Sequence, residues 1–195
     1  MPMPSVCVYC GSSPGKLPDY SAAATELGQE LARRDLGLVY GGASVGLMGI
    51  LADAVLNAGG RAVGVIPRSL AEKELAHQGL HELFVVTSMH ERKAKMAELS
   101  DGFIALPGGW GTLEEIFEAL TWAQLGFHDK PCGLLNVSGY YDHLGAFLDH
   151  AFEQNFVREA FRPMIMVDAS PASLLDRFEA YQPPTVQKWI GPDET

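Results

Sequence analysis

The chain has 195 residues, 47% of them hydrophobic and 19% charged, which excludes a disordered chain and fits one domain able to bury its apolar surface without staples. Its formal net charge is −10 and no basic run interrupts it, which argues against a nucleic-acid or anionic-membrane partner. A phosphate ligand would have to be held by local groups against an unfavourable overall field.

In chain order, residues 5–10 read as a short buried strand, followed by the small polar turn Gly11-Ser12-Ser13-Pro14-Gly15. Residues 20–34 carry Ala22, Ala23, Leu27 and Leu31 at helical spacing. A strand over 36–40 runs into Gly41-Gly42-Ala43-Ser44-Val45-Gly46-Leu47-Met48-Gly49 and a helix to about Leu56. A third strand covers 61–66, and a helix is expected over 69–79 with Glu72, Lys73, Glu74, His77 and Gln78 as its polar group. Strands follow at 83–87 and 103–106, with a helix opening at Met89 between them. A helix over 112–125 places Leu113, Ile116, Leu120 and Ala123 on one apolar face. Further strands at 130–135 and 164–167 flank a helix over 141–156, and a last helix spans 170–181.

Strands alternating with helices through short loops predict an α/β fold: a Rossmann-like, doubly wound, mainly parallel sheet with helices on both faces. We expect a single domain over 1–182 and a tail over 183–195, with no repeat and no internal linker. No stretch approaches the roughly 20 apolar residues of a membrane span, and Met1-Pro2-Met3-Pro4 is unlike a signal peptide, so a cytoplasmic protein without a membrane partner is expected. Cys7-Val8-Tyr9-Cys10 matches C-x-x-C in form, but residues three apart on a strand point to opposite faces, which disfavours a redox pair.

In such sheets ligands bind beyond the carboxyl ends of the strands, where strand order reverses. Ser12, Ser13, the Gly41 turn, residues 89–93 and the Gly108 turn all follow strand ends and can converge there. The Gly41 turn begins like a P-loop, yet Leu47 and Met48 stand where Lys and Ser or Thr are needed, and G-x-G-x-x-G is absent too. That turn is a tight strand-to-helix bend bringing backbone close to a ligand or a neighbouring element. In Leu106-Pro107-Gly108-Gly109-Trp110-Gly111-Thr112-Leu113-Glu114-Glu115 an apolar run ends in a glycine-rich bend where a helix starts. The unpaired N–H groups of that helix and the Thr112 hydroxyl make a phosphate cradle. Glutamates in a first helical turn usually complement the dipole, but a carboxylate beside phosphate repels it and suggests chemistry. Arg92, near a helix start, calls for an anion or carboxylate nearby, and Glu115 fits as ion-pair partner or catalytic partner; Lys93 points to another azimuth and is free to meet phosphate or solvent. The six histidines show no metal-ligand spacing, so no metal is expected, and no G-x-S-x-G elbow occurs. Trp110 and Trp122 read as core or interface packing.

Pro107-Gly108-Gly109-Trp110-Gly111-Thr112-Leu113-Glu114-Glu115 matches PGGxGTxxE, and Met89-His90-Glu91-Arg92-Lys93 matches MxxRK; this pair of motifs resembles the LOG (Lonely Guy) family. The similarity extends from Cys10-Gly11-Ser12-Ser13 through Tyr40-Gly41-Gly42 and Thr121-Trp122-Ala123-Gln124-Leu125 to Asn136-Val137-Ser138-Gly139-Tyr140-Tyr141. These are cytokinin riboside 5′-monophosphate phosphoribohydrolases, long labelled possible lysine decarboxylases. The resemblance implies a Rossmann-like homodimer without a cofactor, with its site near the dimer interface, that splits a nucleoside 5′-monophosphate into free base and ribose 5-phosphate. It assigns Arg92 and Glu115 as the catalytic pair. Gly109, Gly111 and Thr112 would bind the phosphate, Glu74, Lys93 and Thr121 match the family's substrate-binding positions, and Ser13, Met89 and Gly108 are further candidates for substrate contact. Cleaving a ribosyl C–N bond builds positive charge on the sugar, which Glu115 can stabilise while activating water. Arg92 is a poor proton donor, so the acid that protonates the base is left unassigned. A molybdenum-cofactor carrier is the alternative without turnover; a decarboxylase would need pyridoxal phosphate on a lysine, and no lysine has a convincing site.

Overall fold

In the computed structural model, which describes residues 4–71, 73 and 76–185, seven strands form one sheet in the order β4-β3-β2-β1-β5-β6-β7. These are β1 (Ser5–Tyr9), β2 (Gly37–Tyr40), β3 (Ala62–Pro67), β4 (Glu82–Val86), β5 (Gly102–Ala105), β6 (Cys132–Leu135) and β7 (Ile165–Asp168). Every pairing is parallel, so the sheet goes beyond the mainly parallel one expected. In β1, Cys7 pairs with Val39 of β2 and with Phe103 of β5. Parallel strands require crossovers, which the helices supply, and strands covered on both sides read as continuous apolar runs.

Helices α1 (Pro18–Arg33), α2 (Gly46–Asn57) and α7 (Pro171–Glu179) cover one face. There Leu27, Leu31, Leu51, Val55 and Leu174 pack with Val6, Val8 and Leu38 of the sheet. Helices α4 (Met89–Glu98), α5 (Trp110–Leu125) and α6 (Asp142–Glu153) cover the other, where Met96, Ile116, Ala119 and Tyr141 meet Cys7, Tyr9, Val39 and Phe103. Alternate residues of β1 thus feed two cores. Cys7 belongs to one and Cys10 to the other, and both thiols are free.

The helix expected over 69–79 is not formed as such. A single turn, α3 (Arg68–Ala71), follows β3, and by Ala76 the backbone makes an antiparallel bridge to Ala43. The His77 N–H donates to Gly42 O at 3.0 Å, and the His77 ring lies 3.0 Å from Asp53. The turn after β2 thus recruits backbone groups that a helix would have used, and tertiary context overrides a polar pattern that suits a helix. Trp110 is not core either: it is 89% exposed at the start of α5. Among the described residues no helix is long and apolar enough to cross a membrane.

Candidate active site

Strand order reverses between β1 and β5: β2 to β4 run outward on one side, β6 and β7 on the other. A crevice must open at such a switch point, because the connections leave in opposite directions. Beyond the carboxyl ends of β1 and β5 lies a cleft of about 360 Å³. Its floor is Val8, Tyr9 and Cys10; its walls are Gly11, Ser12, Gly41, Met48 of α2, Met89, Arg92 and Met96 of α4, and the start of α5 from Gly109 to Glu115. A second cavity of about 290 Å³ shares Gly11, Ser12 and Gly109 with it and holds Ser13, Tyr20 and Tyr140.

The start of α4 is locked by its own sequence. Ser88 caps it, accepting from the Glu91 N–H at 3.1 Å, while Glu91 reaches back to the N–H and hydroxyl of Thr87, both at 2.7 Å. This reciprocal arrangement is a variant of the capping box and fixes where Arg92 emerges. Arg92 is buried, only 7% exposed. One guanidinium nitrogen donates to Gly41 O at 3.4 Å, another lies 3.7 Å from the Met89 sulfur, and Nε is buried without a partner. A buried guanidinium with an unmet donor is poised for an anion or a polar oxygen. Gly41 makes its place: a Cβ there would fall 2.1 Å from Arg92 Nη2.

Glycines at the start of α5 serve a different end. Gly109 is the N-cap and offers no side-chain cap, so the first N–H groups of a 16-residue helix open toward the cleft. A Cβ at Gly109 or at Gly111 would meet no protein atom within 4 Å. The chain's own packing therefore does not demand glycine there, and the space belongs to whatever fills the cleft. Thr112, 4% exposed, packs beneath Gly108, whose added Cβ would lie 2.1 Å from the Thr112 hydroxyl.

One turn later Glu115 is 9% exposed in the same cleft. Burial pushes its carboxyl up to about 7, helped by nearby Glu114 and Glu118 and opposed by Arg92 and Lys93. Arg92 and Glu115 face one cleft without a direct ion pair, which leaves a polar gap with a cation on one side and a titrating carboxyl on the other. Lys93 turns away from it. Its ammonium lies 2.5 Å from Glu114 and 3.0 Å from Glu118, bracing α4 against α5. Burial works against that charge, yet the two carboxylates hold the Lys93 pKa above its ordinary value.

A model of the family described as possible lysine decarboxylase matches residues 48–178. The Arabidopsis thaliana protein named cytokinin riboside 5′-monophosphate phosphoribohydrolase LOG5 is 53% identical over 178 residues, which cover 91% of this chain and 78% of that protein. Its Arabidopsis thaliana namesake LOG1 is 51% identical over 178 residues, 91% of this chain and 84% of that one. The chain belongs to the LOG family. Among solved structures, the molybdenum cofactor binding protein from Rippkaea orientalis has a TM-score of 0.69 at 24% identity and covers 92% of this chain and 98% of that one. That likeness speaks for the shared fold alone.

Set against the LOG motifs, the cleft gathers Arg92, Glu115, Met89, Gly109, Gly111 and Thr112. Gly108 and Ser13 lie in the adjoining cavity. Lys93 is engaged by carboxylates rather than open to phosphate, and Glu114 is its partner rather than only a helix-start charge. Thr121 sits exposed on α5 outside the cleft, its hydroxyl donating to Phe117 O at 2.7 Å. Glu74 lies outside the described residues. Met48 and Met96 were not singled out from sequence. Met96 was findable, being four residues past Arg92 and seven past Met89 on one face of α4. Among the described residues no group of three or more His, Cys, Asp or Glu side chains is placed to hold a metal ion.

Proposed function

We propose that this LOG-family chain hydrolyses the N-glycosidic bond of an adenosine 5′-monophosphate, plain or N6-modified, as an N-glycosidase of the cytokinin-activating type. The observation that carries this reading is Glu115, its carboxyl lifted to about 7, facing buried Arg92 across a cleft whose glycine-lined helix start is bare of capping side chains. The phosphate is held at the N–H groups of the Gly109 to Thr112 turn, which positions the ribose through a part of the substrate that does not react. As the C1′–N bond opens, its electron pair leaves with the base, and positive charge grows on the sugar. The Glu115 carboxylate stabilises that charge and takes a proton from the water whose oxygen bonds to C1′. The base takes up one proton as it departs, and ribose 5-phosphate remains. Arg92 anchors substrate oxygens and keeps Glu115 partly ionised near neutrality.

Lysine chemistry of the decarboxylase kind finds no support at Lys93, whose ammonium is held by Glu114 and Glu118 and is not a free amine for a Schiff base. A carrier role rests on fold likeness only. Met89 and Trp110 stand 42% and 89% exposed at the cleft mouth, which supports a homodimer closing the site from outside. We place the protein in the cytoplasm, with a nucleotide as its small-molecule partner and no cofactor.

Incubating the pure protein with AMP and with N6-prenylated AMP should release free base and ribose 5-phosphate. Release from neither substrate would overturn the reading. Light scattering on the same sample should give twice the monomer mass.

A further inference from the structure

The glycine turn before α5 has a back as well as a front. Three consecutive carbonyls, those of Leu106, Pro107 and Gly108, each accept a hydrogen bond from outside the turn. The Tyr141 hydroxyl donates to the first at 2.7 Å, the Gly11 N–H to the second at 3.1 Å, and the Tyr140 hydroxyl to the third at 2.6 Å. A peptide unit is rigid, so fixing the Pro107 and Gly108 carbonyls also fixes the direction of the Gly108 and Gly109 N–H groups, while the Leu106 carbonyl, followed by a proline without an N–H, fixes only the entry of the turn.

The two tyrosines are themselves placed by a built turn. Ser138 at φ 49° and Gly139 at φ 73° reverse the chain after β6. The Asn136 side chain accepts from the Tyr141 N–H at 2.7 Å and donates to Asp142 at 2.7 Å, while Ser138 donates to Asp19 of α1 at 2.5 Å. The Tyr140 ring meets Tyr141 edge to face at 4.9 Å and Tyr20 at 5.7 Å. A side chain with this much support does not swing freely, so its hydroxyl is a fixed donor.

We infer that Tyr140 and Tyr141 are positioning residues that turn the carbonyl dipoles of Leu106 and Gly108 away from the cleft, so that a bound phosphate meets N–H groups alone. Without the Tyr140 hydroxyl, the Gly108 carbonyl gains freedom to present its negative end where the anion sits. The effect falls on the phosphate-bearing part of a ligand and not on the base. This inference rests on the nucleotide reading of the site.

Binding calorimetry with AMP, adenosine and inorganic phosphate tests it on Tyr140→Phe, which keeps the ring and removes the hydroxyl. AMP and phosphate affinity should fall about tenfold, the scale of a misplaced hydrogen bond to an ion, with adenosine affinity and melting temperature unchanged. In turnover assays KM for AMP should rise with little change in kcat. Unchanged AMP affinity, or an equal fall for AMP and adenosine, would overturn the assignment. Tyr141→Phe should act in the same direction, but Tyr140→Phe decides because its hydroxyl is less buried. A wild-type chain that binds AMP without releasing adenine overturns the hydrolase reading alone; one that binds neither AMP nor inorganic phosphate overturns both.

Discussion

The two glycine-rich turns of this molecule look alike in sequence and differ in what fills the space their missing side chains leave. After β2, a Cβ on Gly41 would strike Arg92, one on Gly46 would fall 2.3 Å from the Ser12 backbone, and one on Gly49 would fall 2.3 Å from Ser44 O. Gly42 and Gly46 also hold φ of 75° and 57°, a region that disfavours side chains. Before α5, Gly109 and Gly111 have ordinary room around them. The first turn is glycine because the protein crowds it; in the second only Gly108 is crowded, by Thr112, and Gly109 and Gly111 are glycine although the protein leaves them room. Only the second pattern points to a ligand, and the first contributes by making room for Arg92.

Substitutions can break this contrast, and the largest effect should come from the carboxyl that both turns frame. Glu115→Gln should lower kcat by on the order of 10²-fold or more in base-release assays. The same variant should gain stability, with a definite sign in pH. The folded carboxyl titrates near 7 against an ordinary 4.5, so the native state holds its proton more tightly than the unfolded chain does. The stability gained from that proton is complete below about 4.5 and lost as pH rises through 7. Denaturant unfolding at pH 8 should therefore show Glu115→Gln more stable by up to about 3 kcal/mol, and at pH 4 by nearly nothing. For turnover by the carboxylate, kcat/KM of the wild type should climb as pH rises through about 7.

Gly41→Ala comes next. Its Cβ must push the Arg92 guanidinium aside, and displacement on the scale of an ångström should cost around 10²-fold in kcat. Gly109→Ala should leave unfolding free energy within about 0.5 kcal/mol while raising KM for AMP roughly tenfold, because the added methyl enters ligand space. A large loss of stability there would erase the distinction between the turns. Thr121→Val should change turnover by less than about twofold, since its hydroxyl bonds back to its own helix. A loss beyond tenfold would mean that Thr121 reaches substrate across a dimer interface.

Periodicity alone revealed the strands and most helices, because each buries a face and its apolar spacing records that burial. Arg92 stood out because a cation near a helix start asks for a partner, and Glu115 because a carboxylate beside a phosphate cradle repels what the cradle would hold. What local pattern could not show were bonds between distant backbones. The sequence after Ala71 has helix-forming residues, yet by its far end the His77 N–H donates to Gly42 O and Ala76 bridges Ala43. Lys93 looked available because nothing in its own helix predicts that Glu114 and Glu118 arrive from α5. Tyr140 and Tyr141 stood in the sequence only as the end of a stretch resembling the family, since a hydroxyl's choice of carbonyl leaves no trace in spacing.

Three residues apart on the central strand, Cys7 and Cys10 answer to different events. Cys7 is 0% exposed under α4 and α5, as is Cys132 on β6, so a thiol reagent reaches either only when the sheet opens. Cys10 borders the cleft floor, and a reagent small enough to enter can approach it with the fold intact. Labelling kinetics of the unmodified protein thus carry two clocks: a slow pair that times global opening, and a single site whose protection reports whether the cleft is filled.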